Sequence, residues 1–288
     1  MKYLLVLLTS SLSATKVTLQ GRLAKRMHSV ADGAFFNALI FLVAALLFSP
    51  SLLAASKLTW TYAAIYAVCN VVFQTVYAGA LSRGNVSLAV MFANFGMLVP
   101  TAVSFAVWGD NPSLLRIIGI ALIMVAFIFT LKQGGEHKKG YFPLVIVAML
   151  ANGCGLTIQK IYATHSGEPS LLSFVAASYM LSAILSASVC FVLSKTSASR
   201  VDWRLGSRQI LCCVGAGAAL ALFLGVNMYA GKVVDGSFHY PTHSLCTMLL
   251  AILSSIVIFR EKISVRQGIA CGIGVTAILL MNFYRHRI

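Results

Sequence analysis

The sequence predicts an all-α integral membrane protein, with ten transmembrane helices arranged as two inverted-topology repeats of five. Three observations carry that prediction. The 288 residues are 59% hydrophobic and only 10% charged, at a mean hydropathy of +0.88, whereas a soluble domain carries about 25% charged residues. Ten apolar runs of near-spanning length are separated by short polar pieces. Short residue patterns from the first half recur in order in the second.

The runs follow from the rule that a membrane helix needs about 20 mostly apolar residues. In order they are Tyr3–Gln20, Phe35–Leu53, Trp60–Leu81, Ser87–Val107, Leu114–Leu131, Phe142–Tyr162, Leu171–Leu193, Ile210–Ala230, Thr242–Phe259 and Gln267–Phe283. Turn residues mark the gaps at Asn111-Pro112, Gly134-Gly135 and Glu168-Pro169. The first run has a rival reading as a signal peptide, with Ser11-Leu12-Ser13-Ala14 as its small-residue cleavage site. The repeat argues for a span instead, because this segment has a partner in the second half.

That repeat sets Thr18-Leu19-Gln20 on Thr157-Ile158-Gln159 and Phe35 on Phe174. It continues with Tyr77-Ala78-Gly79 on Tyr229-Ala230-Gly231, Gly84 on Gly236, Trp108-Gly109-Asp110 on Phe259-Arg260-Glu261 and Ser113 on Ser264. The halves are residues 1–134 and 135–288, together one membrane domain. Five spans is an odd number, so the second half enters the bilayer upside down, a common build for secondary transporters.

Charge supports the inversion independently. The chain has 22 Lys and Arg against 7 Asp and Glu, a formal charge of +15. The loop after span one is basic (Arg22, Lys25, Arg26) and its counterpart after span six is poor (Lys160). The loop after span two is poor (Lys57) and its counterpart after span seven is rich (Lys195, Arg200, Arg204, Arg208). The loops between spans five and six (Lys132, Lys138, Lys139) and between spans nine and ten (Arg260, Lys262, Arg266) add to the rich side, which with Arg83 holds 14 basic residues. The other side, both termini included, holds 7: Lys2, Lys57, Arg116, Lys160, Lys232, Arg285 and Arg287. The positive-inside rule places the rich side in the cytoplasm and both termini outside. The basic residues meet the membrane surface and cytoplasm; no nucleic-acid module accompanies them, which excludes that partner. The seven cysteines lie in apolar runs with no C-x-x-C pair, so they read as small packing residues rather than disulfides or zinc ligands.

Two halves of five helices resemble the drug/metabolite transporter superfamily, specifically the EamA-type ten-helix transporters. The resemblance rests on Trp108-Gly109-Asp110-Asn111-Pro112-Ser113 with Gly119, on Phe259-Arg260-Glu261-Lys262-Ile263-Ser264 with Gly268 and Gly272, and on Gln159-Lys160. It covers nearly the whole chain. Where the family has Trp-Gly in the first helix of each half, this chain has Ser13-Ala14 and Asn152-Gly153. The family keeps both termini in the cytoplasm, opposite to the charge count here.

Polar residues at depth are the functional candidates, since ionisable groups inside a bilayer are costly and tend to serve function. All seven acids fall in loops or at span edges, which disfavours a proton-coupled exporter of cations. Lys16 is the deepest charge. It either attracts an anionic group such as a carboxylate or snorkels toward the helix end near Gly21, five residues on. Gln20, Asn37, Asn70, Gln74, Asn94, Asn152, Gln159 and Asn227 complete the substrate-pathway candidates with Tyr77 and Tyr229. Asn70, Gln74 and Tyr77 share a helix face by their spacing of four and three, and Tyr77 and Tyr229 are expected to face each other across the repeat. His239 and His243 read as interfacial. Pro100 lies inside span four and Pro241 opens span nine; such a proline frees a backbone carbonyl and is expected to kink the helix or to expose an acceptor to the cavity. Gly268 and Gly272 form a close-packing G-x-x-x-G face, used within the monomer or, as the alternative, for a homodimer through the last helix.

No nucleotide-binding loop or nucleophile elbow is present. The expectation is a secondary transporter, not an enzyme, without cofactor or metal. It would move a small polar metabolite, such as an amino acid or other anion-bearing compound, across the cell membrane, by efflux as readily as uptake. A membrane-embedded enzyme acting on lipid through His239 and His243, or a non-transporting membrane helper, are the alternatives.

Overall fold

The computed structural model describes residues 2–24, 27, 29–81, 83–84, 86–107, 114–131, 140–165, 170–195, 205–233 and 265–283, with eleven positions between 243 and 258. Asn111-Pro112, Gly134-Gly135, Glu168-Pro169, Gly236, His239, Pro241, Trp108-Gly109-Asp110, Phe259–Ser264 and most basic loop residues lie outside the described residues. All regular structure among the described residues is helical: α1 (Lys2–Ala24), α2 (Val30–Leu47), a 3-10 turn (Ser49–Ala54), α3 (Lys57–Leu81), α4 (Val86–Phe95), α5 (Leu98–Val107), α6 (Leu114–Leu131), α7 (Tyr141–His165), α8 (Leu171–Lys195), α9 (Ser207–Val233) and α10 (Val265–Phe283). The described residues from His243 to Val257 are helical as well.

Five of these helices are long and apolar enough to cross a membrane: α2, α3, α7, α8 and α9. Their outer faces carry large apolar side chains: Leu46 is 61% exposed, Val68 55%, Leu150 49%, Phe191 59% and Leu211 73%. A water-soluble protein does not expose large apolar side chains on every long helix. Facing lipid, the same surface carries no such penalty, which fits a multi-pass membrane protein.

Local backbone chemistry shifts several expected boundaries. Helix α2 begins at Val30, five residues ahead of the expected start at Phe35. Ser29 and Asp32 form a reciprocal capping box there: Asp32 N donates to Ser29 Oγ at 3.1 Å, and Ser29 N donates to Asp32 Oδ2 at 3.0 Å. That box satisfies N–H groups that a helix start otherwise leaves unpaired. At the other end the apolar run reaches Leu53, but α2 stops at Leu47 and the chain tightens into a 3-10 turn with Pro50 in its first turn. Proline has no N–H to continue the helical ladder.

The fourth run is two helices, α4 and α5, broken at Gly96-Met97. Pro100 explains the place of the break. A proline ring clashes with the carbonyl four residues before it, here that of Gly96. Gly96 also lies against α7: a Cβ there would stand 2.7 Å from Met149 O and 3.0 Å from Gly153 N. The kink expected at Pro100 is a full interruption, seated on the backbone of α7.

Small residues make the closest helix contacts, as in membrane bundles generally. The most extensive pairings are α2 with α8, α1 with α9, α3 with α7, and α6 with α10, followed by α3 with α8 and α2 with α9. Ala34, Ala44, Ala176 and Ala177 are fully buried on α2 and α8. Ala126 on α6 and Ala270 and Ala277 on α10 are buried in one cluster. Gly268 and Gly272 point elsewhere, with nothing among the described residues within 4 Å of an added Cβ. The expected use of their G-x-x-x-G face within the monomer is not what the described helices show, because α10 turns its alanine face to α6. All seven cysteines are free thiols.

The buried apolar residues form two large clusters. One includes Val17, Phe73, Tyr77, Phe92, Met97 and Tyr141. The other includes Phe41, Tyr66, Tyr162, Phe174, Tyr179 and Leu220. Residues of both clusters meet around a polar cavity.

Candidate functional site

A cavity of about 90 Å³ lies between α1, α3, α4, α7, α9 and the 243–247 segment. One water needs about 10–15 Å³ of such space, so the cavity holds roughly six to nine water-sized groups. From α1 come Ser13, Lys16 and Val17; from α3, Tyr66, Asn70, Phe73, Gln74 and Tyr77; from α4, Ala93 and Asn94. From α7 come Asn152, Leu156 and Gln159; from α9, Leu220 and Phe223; and from the last segment, His243, Ser244 and Thr247. No Asp or Glu among the described residues lines it.

Helical periodicity assembles these walls. Residues three and four apart share a face, which brings Asn70, Gln74 and Tyr77 together on α3 and Ser13 with Lys16 and Val17 on α1. Lys16 is 7% exposed. Helix α1 runs on to Ala24, so Lys16 stands eight residues, about 12 Å, from the helix end rather than five. Its Nζ lies 5.5 Å from the centroid of the Phe73 ring, within cation–π range. Asp32 is the only acid among the described residues, and it belongs to the α2 capping box.

Amide pairs brace the cavity. Gln20 Nε2 donates to Gln74 Oε1 at 3.0 Å, joining α1 to α3. Asn227 Nδ2 donates to Gln159 Oε1 at 3.1 Å, joining α9 to α7. Asn70 Nδ2 donates to Ser182 Oγ at 3.1 Å, and Asn152 Nδ2 to Ala93 O at 2.8 Å. Buried amides with partners are tolerable in a bilayer, and such bonds contribute about 0.6 kcal/mol on average. By contrast, Tyr77 Oη and Thr247 Oγ1 are buried with no hydrogen-bond partner among the described residues.

Seven candidates from the sequence meet in this one cavity: Lys16, Asn70, Gln74, Tyr77, Asn94, Asn152 and Gln159. Gln20 and Asn227 stand behind it as amide partners. Gln20 and Asn37 line a second, smaller cavity of about 10 Å³, which Tyr77 also borders. Tyr229 does not join them. It is 46% exposed while Met228 and Ala230 on either side are buried, because one residue turns a helix by about 100°. The expected facing of Tyr77 and Tyr229 is corrected accordingly.

His243 joins the cavity wall. It is 7% exposed; its Nδ1 lies 3.2 Å from Ser10 Oγ, and its ring stacks on Phe223 at 5.3 Å. Sequence reading assigned no cavity role to Tyr66, Phe73, Phe223, Ser244 or Thr247. For Tyr66 and Phe73 helical spacing carries a signal: both lie on the α3 face that Asn70 and Gln74 mark. The Ser11-Leu12-Ser13-Ala14 sequence sits within the continuous α1.

No family model matches the chain, and no curated protein matches it. Among solved structures, 28 chains match. One, a protein crystal structure, superposes with a TM-score of 0.66 at 18% identity, over 97% of this chain and 98% of its own. That likeness shows a shared fold.

Proposed function

We propose that this chain is a secondary transporter of a small polar metabolite, built as ten spans in two inverted five-helix halves of the EamA type. The observation that carries the reading is which helices line the cavity. Pairing each helix with its counterpart in the other half exchanges α1 with α7, α3 with α9, and α4 with the 243–257 segment. These six are the elements that contribute the lining residues. A transporter of inverted repeats has its site at the interface between the repeats.

The helix contacts follow the same exchange. It converts α1–α9 into α7–α3 and α3–α8 into α9–α2, and it leaves α2–α8 and α6–α10 as self-paired contacts; all of these are extensive. The amide bridges follow it too, Gln20–Gln74 answering Gln159–Asn227. The amide register sets Gln74 on Asn227 and hence Tyr77 on Ala230, one residue from the register of the Tyr-Ala-Gly match. That shift accounts for the outward position of Tyr229.

With no nucleotide-binding motif, transport runs on a gradient or by exchange. The test is counterflow in proteoliposomes loaded with a mixed pool of organic acids, amino acids, sugars and nucleosides. Accumulation of one labelled class above protein-free vesicles is the expected result. No accumulation of any class, with correctly inserted protein, refutes the proposal.

A further inference from the structure

We infer that the cavity recognises a small monocarboxylate carrying a neutral hydroxyl donor, rather than a zwitterionic amino acid. This rests on the transport reading for its purpose but on the cavity alone for its chemistry. Lys16 supplies one buried positive charge, with no carboxylate among the described lining residues to neutralise it. A buried charge is costly unless it is paired, and a ligand carboxylate would supply the pair. Tyr77 and Thr247 line the same space, and their buried hydroxyls have no partner among the described residues. They can donate to carboxylate oxygens, as can the Gln74 amide nitrogen, whose oxygen already accepts from Gln20.

The α7 wall differs. Asn152 directs its Nδ2 to the Ala93 carbonyl, which leaves Oδ1 as an acceptor for a ligand donor. That acceptor is neutral. An ammonium placed there would add a second positive charge to a cavity with no described acid, whereas a hydroxyl adds none. Volume sets the size: about 90 Å³ accommodates a ligand of roughly six to nine heavy atoms. Phe73, Leu156 and Phe223 offer its carbon skeleton apolar surface.

The experiment measures binding to the full chain in lipid nanodiscs by calorimetry. The probes are lactate and 3-hydroxybutyrate, the matched amino acids alanine and 3-aminobutyrate, the neutral amide lactamide, and inorganic phosphate. The hydroxy acids are expected to bind saturably and about tenfold or more tightly than the others, the size of one unpaired buried polar group. Lys16→Met is expected to weaken their binding about 10- to 150-fold, the range for losing a hydrogen bond to a charged group. Thr247→Val, which keeps the side-chain shape, is expected to weaken it several-fold. Preference for the amino acids, lactamide or phosphate, or unchanged binding in well-folded Lys16→Met and Thr247→Val, overturns the inference. Binding without flux in the proteoliposome assay would refute transport while supporting this recognition chemistry.

Discussion

Gly153 marks a very tight crossing in the protein, and enlarging it gives a quantitative test of the helix arrangement. In Gly153→Ala the new Cβ would stand 2.5 Å from both Gly96 O and Val99 Cγ2, and 2.6 Å from Val99 Cβ. Ordinary contact is 3.4–4 Å, so α7 must retreat from the α4–α5 break by about 1 Å. Backbone and a β-branched residue line that crossing, so no flexible side chain can move aside instead. Overpacking of this kind costs about 1–3 kcal/mol. Alanine also has an intrinsic helix advantage over glycine of about 1 kcal/mol. Gly272→Ala is the matched control, since nothing described lies within 4 Å of its Cβ. The propensity gain is common to both variants and cancels in their difference. Unfolding of the two purified variants by SDS in mixed micelles should therefore separate them by about 1–3 kcal/mol, with Gly153→Ala the less stable. Equal stability within a few tenths of a kcal/mol would refute the close crossing of α7 on the α4–α5 break.

Three further outcomes follow from particular contacts. Ser29→Ala removes one arm of the α2 capping box and should lower stability by about 1 kcal/mol in the same unfolding assay. Gln20→Leu and Asn227→Leu each break one amide bridge; each should cost about 0.6 kcal/mol, up to about 1.7, and by similar amounts if the halves are equivalent. Cysteines placed at Lys57 and Ser197 in a background without native cysteines should report opposite sides of the membrane to an impermeant maleimide, Lys57→Cys from outside and Ser197→Cys from the cytoplasm. Labelling of both from one side would refute the inverted halves.

Apolar runs made the helices legible because a bilayer demands length and hydropathy from every span. The run Leu114–Leu131 coincides with α6. Local backbone chemistry was harder to extract. Ser29 and Asp32 carry a capping signal that lies ahead of the apolar run, so the run alone starts α2 too late. Pro100 signalled a disturbance, but only the approach of Gly96 to Met149 and Gly153 turns it into a break. Spacing on α3 put Asn70, Gln74 and Tyr77 on one face, whereas packing decides which α9 residues face inward: Asn227, Met228 and Ala230 are buried and Tyr229 is not. His243 and Thr247 enter the cavity through tertiary packing, to which sequence spacing is blind.

Access to Ser13 from both sides of the membrane tests the central claim most directly. Ser13 lines the cavity on α1, and Ser13→Cys changes little in size. In a background without native cysteines, reconstituted in vesicles of known orientation, an impermeant maleimide should label it from either side, and a bound substrate should protect it. Labelling from one side only, or from neither, would contradict a cavity that opens alternately to the two faces of the membrane.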